Sequence, residues 1–277
     1  MSLNTLQTYA GIHLSGPNAH KTSVVIMTGG LREGNLKITH VFDKIGAIGQ
    51  IFSDERLLDI LKATLPRLGF VDAPLSEPPC VACTRPTCPG IDGCEDLGVA
   101  NMQSIISKSA KGKKRKRPIN PQTQRYWDVR QWAESQTHLQ EPSYSANMAP
   151  LVVRAKTLQR RINSWNVDFK LKETLVSQNL RIIADHLSMP SEWAQSYRAF
   201  GVGRDNRGKI LEHLYREKWL ALNHLDDIAS SVENFHAMIC ALTACLFVEK
   251  RVLMPGSSFE LEQGWVYLPN LTESKKD

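Results

Sequence analysis

The chain has 277 residues, 42% of them hydrophobic and 22% charged, an ordinary globular balance with enough length to bury a real core. No basic segment followed by an apolar one opens it, and its longest apolar run, Ala237 to Val248, is too short to cross a bilayer. Secretory and membrane classes are therefore not expected, and a cytoplasmic protein with no membrane partner is. A net charge of +6 and a pI of about 9.0 favour an anionic partner without naming one.

Tyr9 to Ser15 reads as a first strand, ended by Gly16-Pro17. Thr22 to Met27 and Leu36 to Phe42 follow after short turns, which predicts an antiparallel meander. Ser53 is placed to cap a helix whose apolar face is Leu57, Leu58, Ile60, Leu61 and Leu65, with Pro66 ending it. Leu68 to Asp72 predicts a fourth strand, running into Ala73-Pro74-Leu75 and a Cys- and Pro-rich loop. Ala110 to Ser145 is polar, basic and Pro-punctuated, with Tyr126, Trp127 and Trp132 embedded in it. Helix returns from Ala149 to about Trp165. Phe169 to Val176 predicts a fifth strand, Asn179 to Leu187 a helix, Gly201 to Gly208 a loop, and Lys209 to Asn223 a helix. Ser230 and Glu233 have capping-box spacing before a helix whose Val232, Phe235, Ile239, Leu242 and Leu246 form an apolar stripe. Phe259 to Pro269 predicts a terminal strand or hairpin. Alternating strands and helices make one α/β domain over residues 1–277 the simplest organisation. It would carry a Cys-rich loop over about 76–100 and a basic insertion over about 108–145.

Cys80, Cys83, Cys88 and Cys94 crowd one short loop with no core of its own. Thiolates repel each other unless a cation or cluster joins them, and soft sulfur ligands select zinc or iron–sulfur. The single compact loop, with Pro89 after Cys88, leans toward a 4Fe-4S cluster; Zn²⁺ is the alternative. Such a centre would hold the loop or sense redox state. Cys240 and Cys245 lie inside the last apolar helix and read as small core residues.

The order of motifs carries a resemblance. A Gly11-Ile12-x-Leu14 strand comes first, then the Asp72-Ala73-Pro74-Leu75 strand end leading into the cysteine loop. A Glu-bearing fifth strand, a Cys240-Ala241-Leu242-Thr243-Ala244 helix and Gly264-Trp265-Val266-Tyr267-Leu268-Pro269 follow. From about Ala10 to Pro269 this set resembles the predicted nucleases of RNase H-like fold, the family of domain of unknown function 429. The resemblance implies a five-stranded mixed sheet, its first three strands antiparallel, with helices on both faces and the Cys-rich metal loop inserted after strand four. It also implies acidic residues converging on two divalent ions that cleave a phosphodiester.

On this sequence the first-strand acid falls at His13, the fourth-strand acid at Asp72, the fifth-strand acid at Glu173 and the helix acid at His236, so two of the four positions hold histidine. A His-Asp-Glu-His set is a poor magnesium site and a better one for a divalent transition metal: iron, manganese or zinc. The two histidines are ligands in an altered hydrolase, hydrogen-bonding replacements in a dead site, or unrelated; Glu233, Asp226 or Asp227 would restore a carboxylate. Lys113, Lys114, Arg115, Lys116 and Arg117 read as a nucleic-acid phosphate-contacting arm, or as a merely solvated loop. Trp127 and Trp132 would stack on bases or pack under the loop. The expected function is a metal-dependent nuclease or phosphodiesterase. The alternative is an inactive nucleic-acid-binding or redox-sensing protein on the same fold. Nothing in the sequence indicates an oligomeric state.

Overall fold

The fold was analysed in a computed structural model, which describes residues 7–16, 19–45, 54–109, 119–135, 144–145, 148–165, 168–221 and 223–271. Five strands form one sheet: β1 (Thr8–His13), β2 (Ser23–Thr28), β3 (Lys37–Phe42), β4 (Leu68–Val71) and β5 (Lys170–Glu173). Between and after them run α1 (Glu55–Thr64), α2 (Pro79–Ala82), α3 (Leu97–Ser109), α4 (Tyr126–Ser135) and α5 (Ala149–Asn163). The chain continues through α6 (Val176–His186), α7 (Ser191–Ser196), α8 (Gly203–Arg216), α9 (Leu225–Ser230), α10 (Val232–Val248) and α11 (Ser258–Glu262). No helix among the described residues is long and apolar enough to cross a membrane.

The chain divides into two compact units. The first comprises residues 1–73, 158–254 and 267–277; the second comprises 74–157 and 255–266. The first unit holds the sheet, in the order β3-β2-β1-β4-β5, with β1/β2 and β2/β3 antiparallel and β1/β4 and β4/β5 parallel. The antiparallel meander expected from the strand pattern lies at one side, and the sheet as a whole is mixed, as the resemblance implied. Both parallel neighbours end at the same level, because Ile12 pairs with Val71 and Val71 with Glu173. Their C-terminal ends therefore form one edge.

Helix α10 is the centre of this unit and packs against β1, β2 and β4. The expected stripe is only part of its buried surface: Asn234 to Leu246 is buried on every side. A helix apolar all round belongs inside a core. Each Leu, Ile or Phe buried there contributes roughly 1.5–3 kcal/mol. Gly11 makes the approach to the sheet possible, since a Cβ there would lie 1.8 Å from the Ala237 carbonyl oxygen and 2.3 Å from the Ala241 nitrogen. The cap of α10 is Ser231, whose hydroxyl accepts from the Asn234 amide at 3.1 Å. Ser230 instead closes α9, its hydroxyl donating to the Asp227 carbonyl at 3.0 Å.

Several expected boundaries move. Leu65 leaves the apolar face of α1 because it is the left-handed C-cap residue, with φ of 46°, and it is 69% exposed. Gly203 and Gly208 lie within α8, not in a loop, and α8 ends at Arg216. Phe259 to Pro269 contains the short helix α11; its strand character is a single bridge between Val252 and Pro269. Ser53, the expected cap of α1, lies outside the described residues.

The second unit contains α2, α3, α4 and α11, and α5 begins in it. The polar, Pro-punctuated stretch after the basic run holds α4. Trp127 is buried and packs edge-to-face on Trp265, with ring centroids 4.7 Å apart, so it is not a free stacking platform. Arg125, also buried, is paired with Asp128 at 3.1 Å and donates to Ser76 at 3.1 Å.

Candidate metal centre

Strand parity brings the site together. Side chains alternate across a strand, so His13 lies on the same face as Gly11, the face on which α10 sits. His236 is the α10 residue next to Ala237, which Gly11 touches most closely. The two imidazoles meet there, Nδ1 to Nδ1 at 3.3 Å, with their rings edge-to-face at 83°. Asp72 follows β4 directly, its amide donating to the Ile12 carbonyl at 3.3 Å, which sets it beside His13. One carboxylate oxygen lies 3.4 Å from His236 Nδ1, and the other accepts from the Val176 amide at 3.2 Å. Val176 opens α6, so the positive end of that helix faces the carboxylate.

His13, Asp72 and His236 each offer one ligand atom, and these atoms all lie within 4.8 Å of one another. Four-coordinate bonds of 2.0–2.1 Å to nitrogen and oxygen require ligand atoms about 3.4 Å apart. The 3.3 and 3.4 Å spacings match that edge. Two imidazoles and one carboxylate are the donor set of a catalytic zinc-type site with an open fourth position.

The electrostatics suit a cation. Burial, then the neighbouring His236, push His13 down to about 4 against the pull of Asp72 and Glu233. Burial also lowers His236, although Asp72 draws it up. Both rings are thus neutral at pH 7, as metal ligands must be. Burial pushes Asp72 up, but the hydrogen bond and charge of His236, the charge of His13 and the Val176 amide together hold it below the usual carboxylate range. The site therefore carries one negative charge from its ligands. Glu233, one turn before His236, adds another nearby. Burial raises it, but its own backbone, the Ser231 hydroxyl (2.9 Å) and the charges of His13 and Lys21 keep it lowered and ionised.

Two residues that no sequence signal marked complete the surroundings. Arg198 Nε lies 2.7 Å from the Tyr197 hydroxyl and 3.1 Å from His236 Nε2, and that hydroxyl is itself 3.1 Å from Nε2. Arginine can only donate, and burial pushes Tyr197 up to about 12, so its hydroxyl keeps its proton. His236 Nε2 is therefore the acceptor, and the ring proton sits on Nδ1, facing Asp72 and His13. A cavity of about 350 Å³ lies between α6 and α7 and reaches Tyr197 and Arg198. Ser177, Arg181, Asp185 and Gln195 also line it, giving two guanidinium groups against one carboxylate.

Glu173 is not brought into this group. It pairs with Val71, and Val71 with Ile12, so parity turns its side chain to the face opposite His13 and Asp72, where it is buried. The residue level with Asp72 is Thr174, whose hydroxyl donates to the Tyr267 carbonyl at 2.7 Å. Asp226 is exposed, and Asp227 pairs with His224 at 3.1 Å. Cys240 and Cys245 are fully buried core residues, as expected. Cys80 and Cys94 are half-buried and Cys83 and Cys88 exposed, all in the second unit. Lys113, Lys114, Arg115, Lys116 and Arg117 lie outside the described residues. No protein-family model matches this chain, and neither a curated protein nor a solved structure is found to match it.

Proposed function

We propose that this chain is a metal-dependent phosphodiesterase, a nuclease on the RNase H-like plan, in which His13, Asp72 and His236 hold one divalent transition metal. The observation that carries this reading is the meeting of two neutral imidazoles and one ionised carboxylate within 4.8 Å at the C-terminal edge of parallel strands. The adjacency of β1 and β4, with α10 packed against both, supports the plan. A bound divalent ion would supply Lewis-acid polarisation of a phosphoryl oxygen.

The remaining roles fall to the chain's own groups. Asp72 neutralises cationic charge, and its second oxygen is locked by the Val176 amide, which fixes its orientation. Arg181 and Arg198 give the adjoining cavity the positive character that an anionic phosphodiester needs. Glu233, whose charge acts on both histidines, is a further carboxylate able to take a proton, but its lowered value makes it a weak base. One imidazole-for-carboxylate exchange removes one negative charge, so two exchanges favour a single transition metal over a pair of magnesium ions.

One observation favours a second reading, a non-catalytic nucleic-acid-binding or redox-sensing protein. The donors on His236 Nε2 place its proton on Nδ1, where a metal would bind. Cleavage of single- and double-stranded DNA and RNA with manganese, iron, zinc and magnesium in turn separates the two. Cleavage with a transition metal that disappears in Asp72→Ala supports the enzyme. No cleavage with any metal, or equal cleavage by the variant, supports the binding protein.

A further inference from the structure

From Val81 to Gly93 every residue of the cysteine loop is exposed, and beyond Ala82 the loop has no helix or strand. Its two apolar side chains of any size, Val81 and Ile91, are 43% and 38% exposed, so no core of its own holds it in shape. Yet its ends are fastened. The Cys80 amide donates to the Pro121 carbonyl at 3.0 Å, and the Cys94 amide to Ile91 at 3.2 Å. Arg85, between the second and third cysteines, reaches Glu95, next to the fourth, at 3.3 Å. Gln103 of α3 donates to the Ile91 carbonyl at 3.0 Å. Gly90, with φ of 82°, turns the chain between Cys88 and Cys94 in a conformation that an L side chain resists. A loop shaped this way without a core needs a centre that its own side chains supply.

The loop carries four soft donors, Cys80 and Cys94 half-buried at its two ends and Cys83 and Cys88 exposed between them. Thiolates crowded into so short a segment repel one another unless a cation or cluster joins them.

We propose that Cys80, Cys83, Cys88 and Cys94 bind a 4Fe-4S cluster. The spacing of two, four and five residues between successive cysteines, with Pro89 directly after the third, gives the loop enough slack to surround a centre of that size. Cys83 and Cys88 are exposed, so the cluster stands near the surface and is lost in air. This centre is independent of the His13 site, and its test does not depend on any cleavage activity.

The full-length chain is purified without oxygen, both as isolated and after incubation with ferrous and ferric iron in equal amounts and sulfide. Iron, acid-labile sulfide and zinc are measured per chain, with visible absorption before and after dithionite. The expected result is about four irons and four sulfides per chain and a brown absorption that bleaches on reduction. Both are lost in Cys83→Ser and in Cys88→Ser and retained in Cys245→Ala. The serine variants change exposed side chains, and far-ultraviolet circular dichroism checks that they fold. One tightly held zinc without sulfide would overturn the proposal. So would a folded chain that takes up no cluster, or a cluster indifferent to both serine substitutions.

Discussion

Replacing Gly11 with alanine should separate the two histidines as well as weaken the fold. The added Cβ would lie 1.8 Å from the Ala237 carbonyl oxygen, where ordinary contact begins at 3.4 Å, so α10 must retreat from β1 by about 1.6 Å. Both obstructing atoms are backbone, so no side-chain rotation relieves the clash. The cost belongs at the upper end of the overpacking range, about 3 kcal/mol, which lowers the melting temperature of a chain of this length by about 5 °C. His236 moves with Ala237, and its Nδ1, now 3.3 Å from His13 Nδ1, would stand near 5 Å, beyond any shared ion. Thermal unfolding followed by circular dichroism measures the first effect. Manganese binding followed by electron paramagnetic resonance measures the second, and manganese is chosen because thiolates hold it poorly. A Gly11→Ala protein that melts at the wild-type temperature and binds manganese equally would refute this account of how α10 sets the site.

Acid should destabilise the protein through His13. Its folded value of about 4 lies below the ordinary 6.5, so the unfolded chain takes up the proton first. Stability is then lost as pH falls from 6.5 towards 4, by at most about 3 kcal/mol. His13→Asn should flatten urea midpoints across that window, and an unchanged acid limb would contradict the assignment. Removing the arginine donor on His236 Nε2 with Arg198→Ala should tighten manganese binding about tenfold, since the Tyr197 hydroxyl can then turn to accept from Nε2 and the ring can shift its proton there and offer Nδ1; equal affinity would deny that competition. Asn179→Ala should cost about 2–3 kcal/mol in urea denaturation, because Nδ2 of this buried amide donates to Thr174 at 2.6 Å and to Thr243 at 2.7 Å; a loss below 0.5 kcal/mol, on the order of a neutral surface change, would show the bonds are not made.

The parts of the fold legible in the sequence are those whose pattern is local. β3 alternates, β2 is a continuous apolar run, short turns separate β1 to β3, and α10 is apolar at every spacing a helix can have. His13, Asp72 and His236 were legible as a set only through motif order; the residues alone gave no reason to join positions 223 apart. Glu173 shows the limit. One residue decides which face of a strand a side chain takes, and only the pairing of Val71 with Glu173 fixes it. Ser230 and Ser231 are likewise indistinguishable until α9 is seen to end at the first. Trp127 sits in a stretch whose composition is that of a loop, and its burial depends on Trp265, far along the chain. Arg198 and Tyr197 follow a short helix without any motif, so their place against His236 is a product of tertiary packing alone.

The most direct test of the metal centre is manganese binding by the intact chain, compared with Asp72→Ala and His236→Ala. Removing one of three ligands should weaken binding at least about a hundredfold while the circular dichroism spectrum is unchanged. Wild-type protein should bind about one manganese per chain, compete for it with zinc, and lose it as pH falls and protons take the imidazoles. A wild-type chain that binds no manganese or zinc at this site, or folded variants that bind as tightly as it does, would contradict the account.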